Sequence, residues 1–330
     1  MERIEYQFIV EATSPIAHHS GVEGNHAELM RKKVAQGRGE FAWVPYVTGD
    51  TMRHGIREAA AYAALDAAGL LGKIRLTEAA VRLLFSGGML GGLGDSKVAN
   101  VDDYRRMCAA FPPLALLGGC AGNRCIPGRL EVGHATLICA ESERIIPAWA
   151  KAHVDGTDAE VPDLSSAREH VEIHQRVRMD ALLSPDIQRL LPDAQSVFEV
   201  DAEPKAKKRG KGGDGEGKST MLPRTYETII EGSLLYWPVV ATVYNDLDLD
   251  TLHTAVFGFL AQAKVGGKRG TGCGGLRVVS ARKVVHASAA ARATGLAVVD
   301  EVGLRVGELF RKHMADVSAE FASFLTTVSA

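Results

Sequence analysis

The sequence predicts an α+β fold in which an antiparallel sheet is covered by helices on one face. Three observations predict it. Residues 2–11 alternate, with Ile4, Tyr6, Phe8 and Val10 on one face and Glu5, Gln7 and Glu11 mostly on the other, which is the period of a half-buried strand. Helical patterns at 51–68 and 251–264 each follow strand-like runs, and another strand-like run closes the set at 276–285. Stripped of its middle, the order is strand, helix, strands, helix, strand.

Each element has a local reason. Thr13-Ser14-Pro15 ends the first strand, and a polar loop is expected next, carrying His18, His19, His26 and the cluster Arg31-Lys32-Lys33. Residues 41–47 read as a short strand and Thr48-Gly49-Asp50 as a turn and helix cap. The alanine-rich helix that follows has Met52, Ile56, Ala60 and Ala63 as its buried stripe, with Arg53 and Arg57 four apart on another face. Residues 76–85 and 104–110 read as helices, 86–94 as a flexible glycine loop, and 130–139 and 171–179 as strands. Residues 201–219 are rich in glycine and lysine and cannot offset their ordering entropy, so mobility is expected unless a ligand holds them.

Strands are expected again at 226–230 and 234–244, with Pro238 pointing to an edge or a bulge. Asp250 is expected to cap the helix at 251–264, where Leu252, Val256, Phe259 and Ala263 recur at helical spacing, and Gly266-Gly267 to stop it. A last amphipathic helix at 304–328 carries Leu309, Phe310, Val317, Phe321 and Phe324 on its apolar side. This order fits a split βαβ, ferredoxin-like core whose intervening residues are insertions at its rim.

Composition narrows the function. The chain has 330 residues and a net charge of −2, which excludes a uniformly basic coat for nucleic acid. Any such site is a local basic groove on a near-neutral body. There is no apolar run of about 18 residues, and the start Met-Glu-Arg-Ile-Glu lacks a signal-peptide core. The expectation is a cytoplasmic protein without membrane contact, its five cysteines reduced thiols.

The strongest motif is Lys264-Val-Gly-Gly-Lys-Arg-Gly-Thr-Gly-Cys-Gly-Gly-Leu-Arg277, a glycine-dense loop between a helix and a strand. Glycines let backbone N–H groups approach a ligand, and Lys264, Lys268 and Arg269 add positive charge. That suits a phosphate backbone; the plainer alternative is a helix-to-strand turn needing several glycines. Gly270 to Gly275 also satisfies G-x-G-x-x-G, but a dinucleotide site needs a strand before and a helix after, the reverse of the order here.

In the second motif, Val47-Thr-Gly-Asp-Thr-Met-Arg-His-Gly-Ile-Arg57, a turn opening a helix offers N–H groups and a positive dipole end to an anion. Its alternative is an ordinary capped helix with solvated arginines. Cys120, Cys125, His134 and Cys139 form C-x4-C-x8-H-x4-C, looser than zinc knuckles, and the cysteines read as buried small residues. His18, His19 and His26 near Glu23 and Glu28 fit no helical metal pattern and read as a solvated loop. No nucleophile elbow, paired-Cys redox motif or general acid/base pair stands out, so no catalytic residue, metal or cofactor is expected.

The segment Val44-Pro-Tyr-Val-Thr-Gly-Asp-Thr-Met-Arg-His-Gly-Ile-Arg57 resembles the first glycine motif of the CRISPR-associated RAMP superfamily. Glu231-Gly-Ser-Leu-Leu-Tyr236, the helix after Asp250, and Val265 to Gly275 resemble that family's glycine-rich end. The His-His loop and Gly118-Gly-Cys-Ala-Gly-Asn-Arg-Cys-Ile-Pro-Gly128 look most like the backbone subunit of type IV effector complexes. The resemblance implies an RRM-type palm from 1–70 and 226–330, a large helical finger insertion at 71–170, and a thumb hairpin at 171–225.

It also implies head-to-tail polymerisation along a guide RNA (crRNA), with the guide positioned for base pairing to a target nucleic acid. The implied partners are copies of the chain itself and other CRISPR effector subunits, namely a cap and a large or small subunit. Carried over by position, Gly49, Asp50, Thr51, Arg53, Arg57, Gly266, Gly267, Lys268 and Arg269 contact guide phosphates. Arg176 and Arg178 face the RNA, and His18, His19, His54 and Lys264 complete the expected set.

Related type III backbone subunits cleave target RNA with an aspartate between the first strand and the glycine turn. Between Glu11 and Thr48 this chain has only Glu23, Glu28 and Glu40 as acidic residues, so it is expected not to be an enzyme. The competing reading is an RNA-cleaving enzyme of the same superfamily, a guide processor or target ribonuclease, using His18 or His19. A metal-dependent hydrolase is a more distant one.

Overall fold

The computed structural model describes residues 1–23, 25–88, 101–121, 124–155, 164–176, 224–287, 290–296 and 307–327. Antiparallel sheets and helices mix throughout. β1 (Glu2–Ala12) is followed by β2 (His19–Glu23), β3 (His26–Leu29), β4 (Arg31–Gly37), β5 (Glu40–Val47) and α1 (Gly49–Ala67). Next come α2 (Glu78–Val81), α3 (Val101–Ala110), α4 (Pro113–Leu117), β6 (Gly119–Ala121), β7 (Arg124–Ile126), β8 (Leu130–Val132), β9 (Ala135–Leu137) and α5 (Ala148–Asp155). The remainder supplies β10 (Val171–Arg176), β11 (Arg224–Ile229), β12 (Leu234–Val243), α6 (Asp246–Ala261), β13 (Leu276–Ala287), β14 (Ala290–Leu296), α7 (Glu308–Asp316) and α8 (Ser318–Thr327).

The main sheet has the order β14-β13-β1-β12-β9-β5-β4, with β8 also against β12. β1 lies between β12 and β13, antiparallel to both. Its expected inner face, Ile4, Tyr6, Phe8 and Val10, is fully buried under α1 and α6. There Phe8 pairs with Trp237, their rings 5.2 Å apart and nearly parallel. The two helices meet closely because Gly55 has no side chain: a Cβ there would collide with the ring of Phe259. The opposite face of β1 is covered too, with Ile9 packed among Ile138, Ile146, Ala150 and Tyr236. A second core joins α1 to α7 and α8, where the Phe111 and Phe321 rings stack at 5.5 Å.

Several expectations are corrected. The polar loop after Pro15 is a set of strands, and β2 and β3 join β10 and β11 in a four-stranded sheet. Pro238 is neither on an edge nor at a bulge but inside central β12. Its missing N–H is tolerated because β9 pairs with Leu235–Tyr236 and β8 with Val239–Ala241, so the neighbouring edge changes strand at the proline. Gly133, between β8 and β9, donates to Pro238 O at 2.9 Å. The expected single strand at 130–139 is thus two.

Asp250 does not cap the helix that contains it; Asn245 does, accepting from Asp248 N. Asp250 instead accepts from Gly307 N at 2.7 Å and Phe310 N at 2.9 Å, capping α7 from a distance. That helix ends before Lys264. The last helix is broken at Val317 into α7 and α8, and Leu309 faces solvent. The expected loop at 89–94, the end of the strand at 177–179 and the segment 201–219 lie outside the described residues. Among the described residues no helix is long and apolar enough to cross a membrane.

Candidate nucleic-acid interface

The glycine loop after α6 is fastened to the segment that leaves β1. Gly267 N donates to Ala17 O at 2.7 Å, Gly274 N to Pro15 O at 2.9 Å, and Gly275 N to Ser14 Oγ at 2.7 Å. Gly266 has φ +73°, and a Cβ there would sit 2.5 Å from Ala17 O. The glycine at 266 therefore serves this close backbone approach.

The same segment reaches the second glycine turn. His18 Nε2 accepts from Thr48 N at 3.3 Å, while His134 Nδ1 accepts from Gly49 N at 2.8 Å. Thr48 Oγ1 accepts from Thr51 N. The expectation of open amides for an anion at this turn is therefore corrected: two imidazoles and a hydroxyl already use three N–H groups. Both imidazoles are lowered from the ordinary histidine value, mainly by burial, with His19 adding for His18 and Lys32 for His134. A neutral ring is what an N–H donor needs. Gly49 is required by packing, since a Cβ would collide with Val132 O.

The arginines of α1 are committed to backbone. Arg53 donates from Nη1 to Leu130 O at 2.7 Å and from Nη2 to Leu117 O at 2.5 Å. Arg57 is buried and donates from Nη2 to Leu117 O and Gly118 O, both at 3.0 Å. Burial, then the nearby Arg53, draws Arg57 down to about 10, so it stays charged at neutral pH. Neither the solvated arginines of the plainer reading nor a phosphate contact by Arg57 fits this geometry. Its guanidinium organises the turn that follows α4.

Lys268 is differently placed. It takes a left-handed backbone, φ +58°, and its Nζ lies 3.8 Å from the centre of the Tyr226 ring. Tyr226 stacks on His174, rings 5.0 Å apart, and meets His19 edge-on at 6.1 Å. His19 Nε2 lies 2.9 Å from Glu227 O, which fixes the ring against β11. Cations interleaved with aromatic rings suit a single nucleic-acid strand. His174 and Tyr226 escaped the sequence reading; only their alternation within strands marked them.

Arg269 turns the other way. Its Nη1 is 3.9 Å from Glu58 Oε2 at the mouth of a cleft of about 850 Å³ between α1 and α6, which Tyr62, Phe257 and Arg311 also line. Glu58 stands five residues after Arg53, about 140° further round the helix. Arg53 and the Glu58 that Arg269 meets therefore lie on different flanks of α1. His54, Asp50, Gly267 and Lys264 are exposed, and Thr51 is half-buried. Arg176 ends β10; Arg178 lies outside the described residues.

The four possible zinc ligands do not converge. Cys139 is buried beside Ser142, and His134 is bonded to Gly49. Cys125 is exposed rather than buried, and its Sγ lies against that of Cys120. Among the described residues no cluster of three or more metal-ligating side chains occurs.

No protein-family model and no curated protein matches the chain. Among solved structures it is similar to a chain described as "Type IV-B CRISPR Complex", at 15% identity and a TM-score of 0.49. That likeness covers 92% of this chain and 98% of the other.

Proposed function

We propose that this chain is a guide-RNA-binding backbone subunit of a CRISPR effector complex, repeated head-to-tail along its guide, and that it is not an enzyme. The observation that carries the reading is the loop from Val265 to Gly275, fastened to Pro15–Ala17 and presenting Lys268 over Tyr226 beside His174 and His19. The antiparallel order β13-β1-β12, with α1 and α6 packed on one face, supports a ferredoxin-like, RRM-type palm. The two glycine motifs that resemble the RAMP superfamily meet at Ala17–His18, one at each residue. A near-neutral body suits a filament, because many copies share one strand and each needs only a modest basic surface.

The competing RNA-cleaving reading has less support. His18 and His19 each hold a backbone group through Nε2, which ties down the nitrogens that acid–base chemistry would use.

Lys268→Ala combined with Arg269→Ala tests the reading. RNA affinity is expected to fall roughly tenfold for all sequences alike, and the slope of log affinity against log salt to flatten by about one per lost phosphate contact. Unchanged affinity and slope would remove the loop from the interface. Incubation with CRISPR repeat RNA separates the two classes: protection without cleavage supports the scaffold, specific cleavage the processor.

A further inference from the structure

We propose that Cys120 and Cys125 form a modification site, a thiol pair across a hairpin that a small disulfide compound converts to an intramolecular disulfide. The two residues face each other in the β6–β7 pair, and their Sγ atoms lie 3.0 Å apart. Cys120 N donates to Gly87 O at 2.8 Å, on the side of β6 away from β7. Its backbone therefore does not bond Cys125, and the pair is of the non-hydrogen-bonded kind, in which opposed side chains come closest. The Cα separation of such pairs, about 4.5 Å, falls within the span of a disulfide. No backbone rearrangement is needed. A C-x4-C spacing has no redox signature in sequence; the hairpin creates the pair.

Exposure sets the order of events. Cys125 is exposed and Cys120 half-buried. The Cys125 thiolate attacks one sulfur of oxidised glutathione, forming a mixed disulfide and releasing one glutathione thiolate. Cys120 then loses its proton to solvent and attacks Cys125 Sγ, closing the protein disulfide and releasing the second glutathione thiolate. Two electrons pass from the protein thiols to the reagent. Burial, then Cys125, holds the Cys120 thiol up at about 11, while the Arg57 guanidinium pulls it down. Arg57 Nη1 has no partner among the described residues, so this cation is available to a thiolate on Cys120. The loop closed by the bond is short and constrains the unfolded chain little, so a dithiol reopens it. Leu117 and Gly118, whose carbonyls Arg53 and Arg57 bind, lead directly into β6.

The test uses the full chain treated with oxidised glutathione, then denatured for thiol counting and intact mass. Two of the five cysteines are expected to disappear from the count, with a mass loss of two hydrogens. Trypsin cuts after Arg124, so the bridge should join the peptides on either side of that bond. Cys120→Ser is expected to stop at one glutathionyl adduct on Cys125. A persistent adduct on the unmutated chain, an unchanged thiol count, or a bridge to Cys108 would overturn the proposal. Lys268→Ala should leave the bridge intact, which keeps this result separate from the RNA reading.

Discussion

His134 accepts the amide proton of Gly49 on Nδ1 at 2.8 Å, so the turn between β8 and β9 caps α1 from outside the helix. His134→Ala is expected to cost about 1 kcal/mol, the usual worth of a helix cap. A urea titration checks this; an unchanged midpoint would mean that water replaces the ring without loss.

A second histidine makes stability depend on pH. His253 sits against Tyr6, with Nε2 2.5 Å from the hydroxyl, and burial, then Lys283, lowers it to about 4. A folded value below the unfolded one means that the neutral ring favours folding. That contribution is complete above pH 6.5, shrinks as pH falls toward about 4, and levels off below. Its size is up to about 3 kcal/mol, and His18, His134 and His170 shift in the same direction. Urea unfolding at pH 7.5 and 4.5 should show the loss, and His253→Gln should reduce it. Equal stability at the two pH values would contradict the assignment.

Arg57→Ala should destabilise the fold by roughly 1–3 kcal/mol, because Gly118 O loses its guanidinium donor in a buried setting while Leu117 O keeps only Arg53. RNA affinity per folded molecule should stay the same. Thermal unfolding and a binding titration below the transition separate the two effects. Reduced binding by a fully folded variant would return Arg57 to the interface.

Glycines in the basic loop should differ sharply. Gly266→Ala forces a left-handed alanine against Ala17 O and is expected to cost about 1–2 kcal/mol. Gly270, with open space where a Cβ would go, should tolerate alanine almost without cost. Comparable losses in thermal unfolding would show that the loop is not held as described.

The parts of the fold that repeat a simple period were legible: β1, α1, α6 and β13 follow their apolar spacing. The strands β2 and β3 were not, because Gly21, Glu23 and Glu28 give no apolar alternation and the strands exist through pairing with each other and with β11. Pro238 misled because the partner that excuses it lies about a hundred residues away. The glycine loop was legible as a place, since glycine density marks close backbone approach. The fate of Arg53 and Arg57 was not, because spacing on a helix cannot say which carbonyls stand opposite.

The position of β1 between β12 and β13 bears on how the chain is made. β1 leaves the ribosome well before its two neighbours, which follow only when residues 234–243 and 276–287 have been synthesised. Until then an eleven-residue ribbon with one apolar face waits with both edges bare, an open template for other nascent copies. Shortened chains that stop before β12 should accordingly be caught by holding chaperones or precipitate, whatever the quality of the helices they contain.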